Sequence, residues 1–526
     1  MLKKLSLGIT FLVFLFSCSS EDSSTENTNP PNNEDPVGET DTTAPLISIM
    51  GVDEAIEVLT SIDILISDNS SNVSTKIFID DLEVFSSQEK QFSYEIDPFD
   101  FQIGDRVLKV VSEDDSENET TEMVSFTLNK LLFGLSDLQG RPLNGTIDYY
   151  LALNAMDGSL IASQKIESDE ESLFYADDNF ERQDIIATLF LIFSNPNTVP
   201  RSFVLSYGDI PAGTRTLNNT ELMTSRNQRV LTSNFQMEMT DAASDTNFFM
   251  NGKDYELISG FSFAEGNFNE SGRYNPNNSS SVFIYSSPEN TNSIESYKYL
   301  FFNDLNENTT ISFNDFQSIQ QTDEIIVPDE VTDFTFQLRA FEDTNAFNSG
   351  EFNTVLRFSG NKEDINGVIN IPMFDEFALY QQEYNANLTE NIGWVSFLSG
   401  LSTPQIPNWS AELQNREVIT SGNYDFLQTI ATFTGFDPNN RITWIFNSDK
   451  KESFIMPFET FELPDEISTF LNNIQINIAD YGQITFYRAD LFEYEQKFDI
   501  IEGLFSGFPS LNAKGDQQAL GFTLIN

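Results

Sequence analysis

A chain without histidine has few ways to do chemistry. Across 526 residues there is no His, and Cys18 is the only thiol. That excludes the Ser-His and Cys-His nucleophile systems and zinc sites built from Cys and His. What remains is Asp, Glu, Tyr, Lys and Arg as acids, bases or ion-pair partners, and cation sites made only of oxygen. Asp and Glu together number 82, so carboxylate pairs of the kind a glycosidase needs occur everywhere, and abundance nominates none. There is no G-x-S-x-G elbow, G-x-x-x-x-G-K-S/T loop, dinucleotide fingerprint or H-E-x-x-H pair. The nearest serine candidate, Gly503-Leu504-Phe505-Ser506-Gly507, has the wrong spacing and no base to serve it. No catalytic residue is assigned.

Binding chemistry has more to work with. Trp394, Trp409 and Trp444 are the only tryptophans, and an aromatic face can lie against the apolar side of a pyranose ring. Trp409, within Ile406-Pro407-Asn408-Trp409-Ser410, has loop-like surroundings and is the first candidate ligand platform, with Trp394 beside it; Trp444, inside the apolar run Ile442 to Phe446, reads as core. For any one of them, packing is the commoner fate. Three polar runs, Asp114 to Asn118, Asp177-Asp178 and Asn303 to Asn308, offer oxygen ligands of calcium-like character. None follows a known loop spacing, so a solvated turn is the simpler reading of each. No cofactor is expected, Ca²⁺ being the one candidate.

Composition narrows the partners. The formal charge of −55 repels phosphate backbones and anionic headgroups, which excludes nucleic acid and direct lipid-surface binding and serves solubility. A chain of this length calls for about three or four domains.

The amino terminus says where the chain is held. Lys3 and Lys4 precede an apolar run from Leu5 to Phe16, too short to span a membrane, that ends Leu15-Phe16-Ser17-Cys18. This resembles a bacterial lipoprotein signal, which implies removal of residues 1–17 and lipidation of Cys18. From Ser19 to Thr43 there is no Lys, Arg or aromatic residue, so 18–43 is expected to be a disordered acidic stalk, about 25–30 Å from end to end. Its opening Ser19-Ser20-Glu21-Asp22 resembles the acidic export signal of Bacteroidota lipoproteins. The resemblance implies an outer-membrane, lipid-anchored protein facing the extracellular side, touching the membrane through that lipid only.

Beyond the stalk the periodicity is two, which means strands. Ile62, Ile64 and Ile66 alternate with Asp63 and Leu65, Val73, Thr75, Ile77 and Ile79 share a face, and Asp80-Asp81 stands where a hairpin turn belongs. The order TTAPLISI, IDILISDNSS, KIFIDDLEV, FSYEIDPFDFQIGDRVLKVVSEDDSEN and VSFTL resembles bacterial Ig-like β-sandwich domains, here over 44–130. Residues 131–233, opening on D-x-x-G-R-P-L-x-G and closing on P-A-G-T-x-T-L, resemble carboxypeptidase regulatory-like domains, which implies a second small non-catalytic β-sandwich.

The distal region 234–526 matches no known pattern. Strands are expected at Val282–Tyr285, Tyr297–Phe302, Phe334–Ala340, Val355–Phe358 and Ile442–Phe446, then at Ile474 to Ile478 and Ile484 with Phe486, and a short helix after Pro464. The expected fold class is all-β: tandem β-sandwich domains, the first Ig-like, behind a disordered stalk, with one or two domains in 234–526. The expected role is non-catalytic capture of polysaccharide near an uptake system, since the layout resembles outer-membrane glycan-binding lipoproteins that stack Ig-like domains behind a lipid anchor. Adhesion to a surface protein or cell and a carboxylate-dependent glycan hydrolase are the alternatives.

Overall fold

A computed structural model describes residues 41–138, 140–141, 143, 145–193, 201–218, 231–242, 247–257, 266–277, 281–287, 294–493 and 516–525. The signal segment, Cys18 and the stalk up to residue 40 lie outside the described residues. The described chain is nearly all β, as its period-two patterning demands. It separates into two compact units, the first holding residues 41–48, 64–92 and 109–122, the second the rest.

In the first unit, Val73–Ile79 pairs antiparallel with Leu82–Ser87. The two are joined at Asp80 and Asp81, both left-handed with φ of 49° and 66°, the conformation of a two-residue hairpin turn. Ile64, Ile66, Val73, Ile77, Ile79 and Val110 are buried while their neighbours face water, the one-sided pattern of a sandwich strand.

The second unit is organised by one twelve-stranded sheet, whose strands we number in chain order. They are β1 Ile147–Ala155, β2 Leu160–Ile166, β3 Ile185–Phe193, β4 Arg201–Ile210, β5 Asp333–Phe341 and β6 Asn353–Asn361. β7 Leu379–Thr389, β8 Ile392–Ser399, β9 Phe426–Thr434, β10 Arg441–Asp449, β11 Ile484–Glu493 and β12 Gln517–Ile525 complete it. The spatial order is β2-β1-β3-β4-β10-β9-β11-β12-β8-β7-β5-β6. The boundary expected at 233/234 does not divide this sheet: β4 pairs in parallel with β10, from Arg201 opposite Arg441 to Tyr207 opposite Asn447. Hydrophobic patterning marks which face of a strand is buried, not which strand lies beside it.

A buried polar seam fixes that parallel contact. Trp444 Nε1 donates to Ser206 Oγ at 2.8 Å, Asn447 Nδ2 to Ser206 O at 3.2 Å, and Gln428 Nε2 to Asn447 Oδ1 at 2.8 Å. Lys451 and Asp209 close the end of the seam as an ion pair at 2.7 Å.

The two faces of the sheet differ. On one, Phe190, Val204, Trp444, Tyr487, Trp394, Tyr384 and Phe336 lie in a single core with Tyr285, Tyr297, Phe374, Tyr424, Phe458 and Ile467. On the other, β1, β3 and β4 are covered by a second core that includes Phe133, Leu135 and Phe174 of a three-stranded sheet. On this second face β5, β7, β8, β11 and β12 carry half-buried and exposed residues: Thr335, Gln337, Asn385, Asn387, Val395, Phe486, Arg488 and Thr523.

One expected strand is absent. Ile474, Ile476 and Ile478 are all buried, but they belong to an irregular segment after the helix Asp465–Asn473, with Gln475 at φ 60°. Alternating burial arose there from a loop pressed on the core, without a partner strand.

Candidate functional site

The open half of the sheet carries the site. Along β11, Phe486, Arg488 and Asp490 point one way, because Tyr487, Ala489 and Leu491 between them are taken by the core. With Gly393 and Val395 of β8, Ile430 of β9 and Gly521 of β12 they form a groove of about 440 Å³, within the size range of ligand sites. Its walls are apolar and its charge is one pair, Arg488 Nε to Asp490 Oδ1 at 2.7 Å. A Cβ at position 521 would overlap both groups of that pair, so Gly521 makes the room in which it lies flat.

Asp490 is buried, and burial pushes its carboxyl above the ordinary range, against the pull of Arg488. A carboxyl raised in the fold supports folding fully only below its unfolded value, about 3.9, and that support is lost as pH rises through the folded value. Asp490→Asn should therefore gain stability relative to the parent as pH rises from 4 to 7. Urea midpoints at each pH measure this, and a constant difference between the two proteins would refute it. Asp490 is the only carboxylate among the described residues lining the groove, whereas glycoside hydrolysis takes two.

A second hollow of about 320 Å³ lies on the same face, lined by Asp333, Thr335, Asn361, Asn385 and Asn387. The register joins the two. Gln428 stands opposite Asp490, Asp490 opposite Gly521, Gly521 opposite Gly393, Gly393 opposite Asn387, Asn387 opposite Asp333 and Asp333 opposite Asn361. Directly paired residues point to one face of a sheet, so these seven form a transverse row.

The tryptophans are elsewhere. Trp394 is fully buried, stacked on Tyr384 with centroids 5.4 Å apart. Trp409, expected in a loop, is only 8% exposed; it packs edge-on to Tyr424 at 6.3 Å and over Gly422, where a Cβ would overlap its ring. Both expected ligand platforms are therefore core residues: each large ring removes more apolar area from water inside than a surface position would. Trp444 is core, as its run of apolar neighbours implied.

The oxygen-rich runs have local partners. Asp178 accepts from Ile103 N at 2.7 Å and lies 3.9 Å from Lys130 Nζ. Asn303 to Asn306 border a hollow of about 310 Å³ with Asp254, Tyr255 and Tyr274, and Asn306 Oδ1 accepts from Asn308 N at 3.0 Å. Asp114 is joined in the first unit by Asp41 and Asp68, one carboxylate oxygen of each within 4.8 Å of the others. Hydrogen bonds from Asn69 and from Asn118 hold Asp41 and Asp114 below the ordinary carboxylate range. The donor set is all oxygen, the kind a hard divalent cation takes. Sequence reading found Asp114 alone, because Asp41 and Asp68 are brought to it by folding.

Arg488, Asp490, Asn385 and Asn387 were also missed. Their one signal was a polar residue at every second position of an apolar strand, which an ordinary solvated sheet face shares.

No family model matches the chain, and no curated protein does. Among solved structures it is similar to fibronectin(III)-like modules of Clostridium thermocellum CbhA, at 12% identity over 30% of this chain and 92% of that one, TM-score 0.16. It is similar to the Bacteroides ovatus protein SGBP-B of a mixed-linkage glucan utilization locus, at 13% identity over 63% and 93%, TM-score 0.14. A Ca²⁺-stabilized adhesin of an Antarctic bacterium matches at 7% identity over 92% and 100%, TM-score 0.15. Scores this low carry no argument about ligand or activity. Among the described residues, no helix is long and apolar enough to cross a membrane.

Proposed function

We propose that this chain is a non-catalytic binding protein, held at the outer cell surface by lipid on Cys18, that captures polysaccharide on the open face of its large sheet. The observation that carries the reading is the groove on β8, β9, β11 and β12: an apolar trough with a single charge pair and one carboxylate. Such a site can hold a ring against Phe486 and Ile430 and, among the described residues, has no second acid or base with which to cleave it. The missing histidine and the spent thiol point the same way.

The chain beyond the lipid-bearing cysteine, residues 19–526, should be retarded in native gels containing soluble polysaccharides, and no retardation across a broad panel would end the binding half of the proposal. Full-length Cys18→Ala should leave the membrane fraction; a variant that partitions like the parent would end the anchoring half.

A further inference from the structure

Resting on that reading, we propose that the ligand is an uncharged polysaccharide laid across the strands, its chain running from the Asp490 groove over Gly521 and Gly393 to Asn387, Asp333 and Asn361. The path is continuous, because each step is a direct register pair on one face. Six strands at their usual spacing make it about 24 Å long, enough for several sugar rings rather than one.

The glycines mark the crossing between the two hollows. Gly521 is required by the ion pair that lies over it; Gly393, which faces Asn387 where the register of β7 shifts, is not held to glycine by crowding. It does not have a positive φ, and a Cβ there would meet only Ala386 O at 3.9 Å and Arg488 Nη2 at 4.0 Å, ordinary contacts. A bare strand position that costs stability and answers to no packing constraint is where another molecule's chain can come close to the backbone.

The far end has hydroxyl-binding chemistry. Asn385, Asn387 and Asp333 are exposed, and a carboxamide both donates and accepts, as a sugar hydroxyl does. Charge selects among glycans. The path holds Asp333 and the internally neutralised Arg488–Asp490 pair, so it offers no uncompensated cation. The nearest on β6 is Arg357, four residues along from Asn361. With −55 on the whole chain, uronate and sulfated glycans are repelled.

The test uses residues 19–526 in affinity gels and calorimetry with neutral glucans, mannans and xylans, and with polygalacturonate and alginate as anionic counterparts. The parent should bind at least one neutral glycan and neither anionic one. Gly393→Val, which adds a side chain a strand tolerates, should weaken binding at least tenfold with an unfolding midpoint no lower than the parent's, and Asn387→Ala should weaken it severalfold. Neutral-glycan binding that both variants retain would overturn this path while leaving the proposed function standing. A preference for the anionic polymers would overturn the charge argument, and a parent that binds no glycan would overturn both proposals.

Discussion

Trp444→Ala should cost the fold about 3–5 kcal/mol, the usual range for deleting a fully buried indole. The ring is 1% exposed. It stands edge-on to Phe461 at 5.1 Å, Phe458 at 5.3 Å and Phe190 at 6.0 Å, so its loss leaves a cavity lined by aromatics from two distant parts of the chain. It also removes the hydrogen bond that Trp444 donates from β10 to Ser206 Oγ on β4. Trp444→Phe separates the two contributions: it keeps an aromatic ring and should cost about 1 kcal/mol for the lost hydrogen bond, plus whatever void remains. Urea denaturation of the three proteins measures both. An alanine variant within 1 kcal/mol of the parent would mean that the ring does not hold the seam.

Cutting the chain at the expected 233/234 boundary should abolish cooperative folding of the 234–526 fragment. Four strands of the twelve, β1 to β4, would be lost. β10 would become an edge with its whole parallel partner gone, and Trp444, Ile442 and Phe446 would lose Val204, Phe190 and Ile186 from their core. Asn447, buried and bonded to Ser206 O, would lose that acceptor, and buried polar groups without partners are costly. A long apolar edge of this kind invites aggregation. The fragment should appear in inclusion bodies or show no sharp unfolding transition. A soluble fragment that melts cooperatively would show that residues 234–526 form a body of their own and that the β4–β10 pairing is dispensable.

Much of the local structure was legible before folding was considered. Phe334, Phe336, Leu338 and Ala340 alternate with Thr335, Gln337 and Arg339, and β5 is the strand that results, with the first set in the core. Asp80-Asp81 was readable as a turn because aspartate tolerates the left-handed region, and both residues adopt it. The same rule of alternation failed at Ile474 to Ile478, where an isoleucine at every second position reflects contact with the core and no hydrogen-bonded neighbour.

The sequence by itself determined the all-β class, the acidic surface and the exclusion of imidazole chemistry, because each follows from residue types or from spacing within a few positions. Tertiary structure decided the rest. It placed β4 beside β10 across more than two hundred residues, put Trp409 and Trp394 inside, and lined up Asp490, Gly521, Gly393 and Asn387 in one row. The physical reason is that a strand's pattern records how much of it is buried on each side, while its partner and register are chosen by the whole core. A site assembled from single residues on neighbouring strands therefore has no contiguous signature to read.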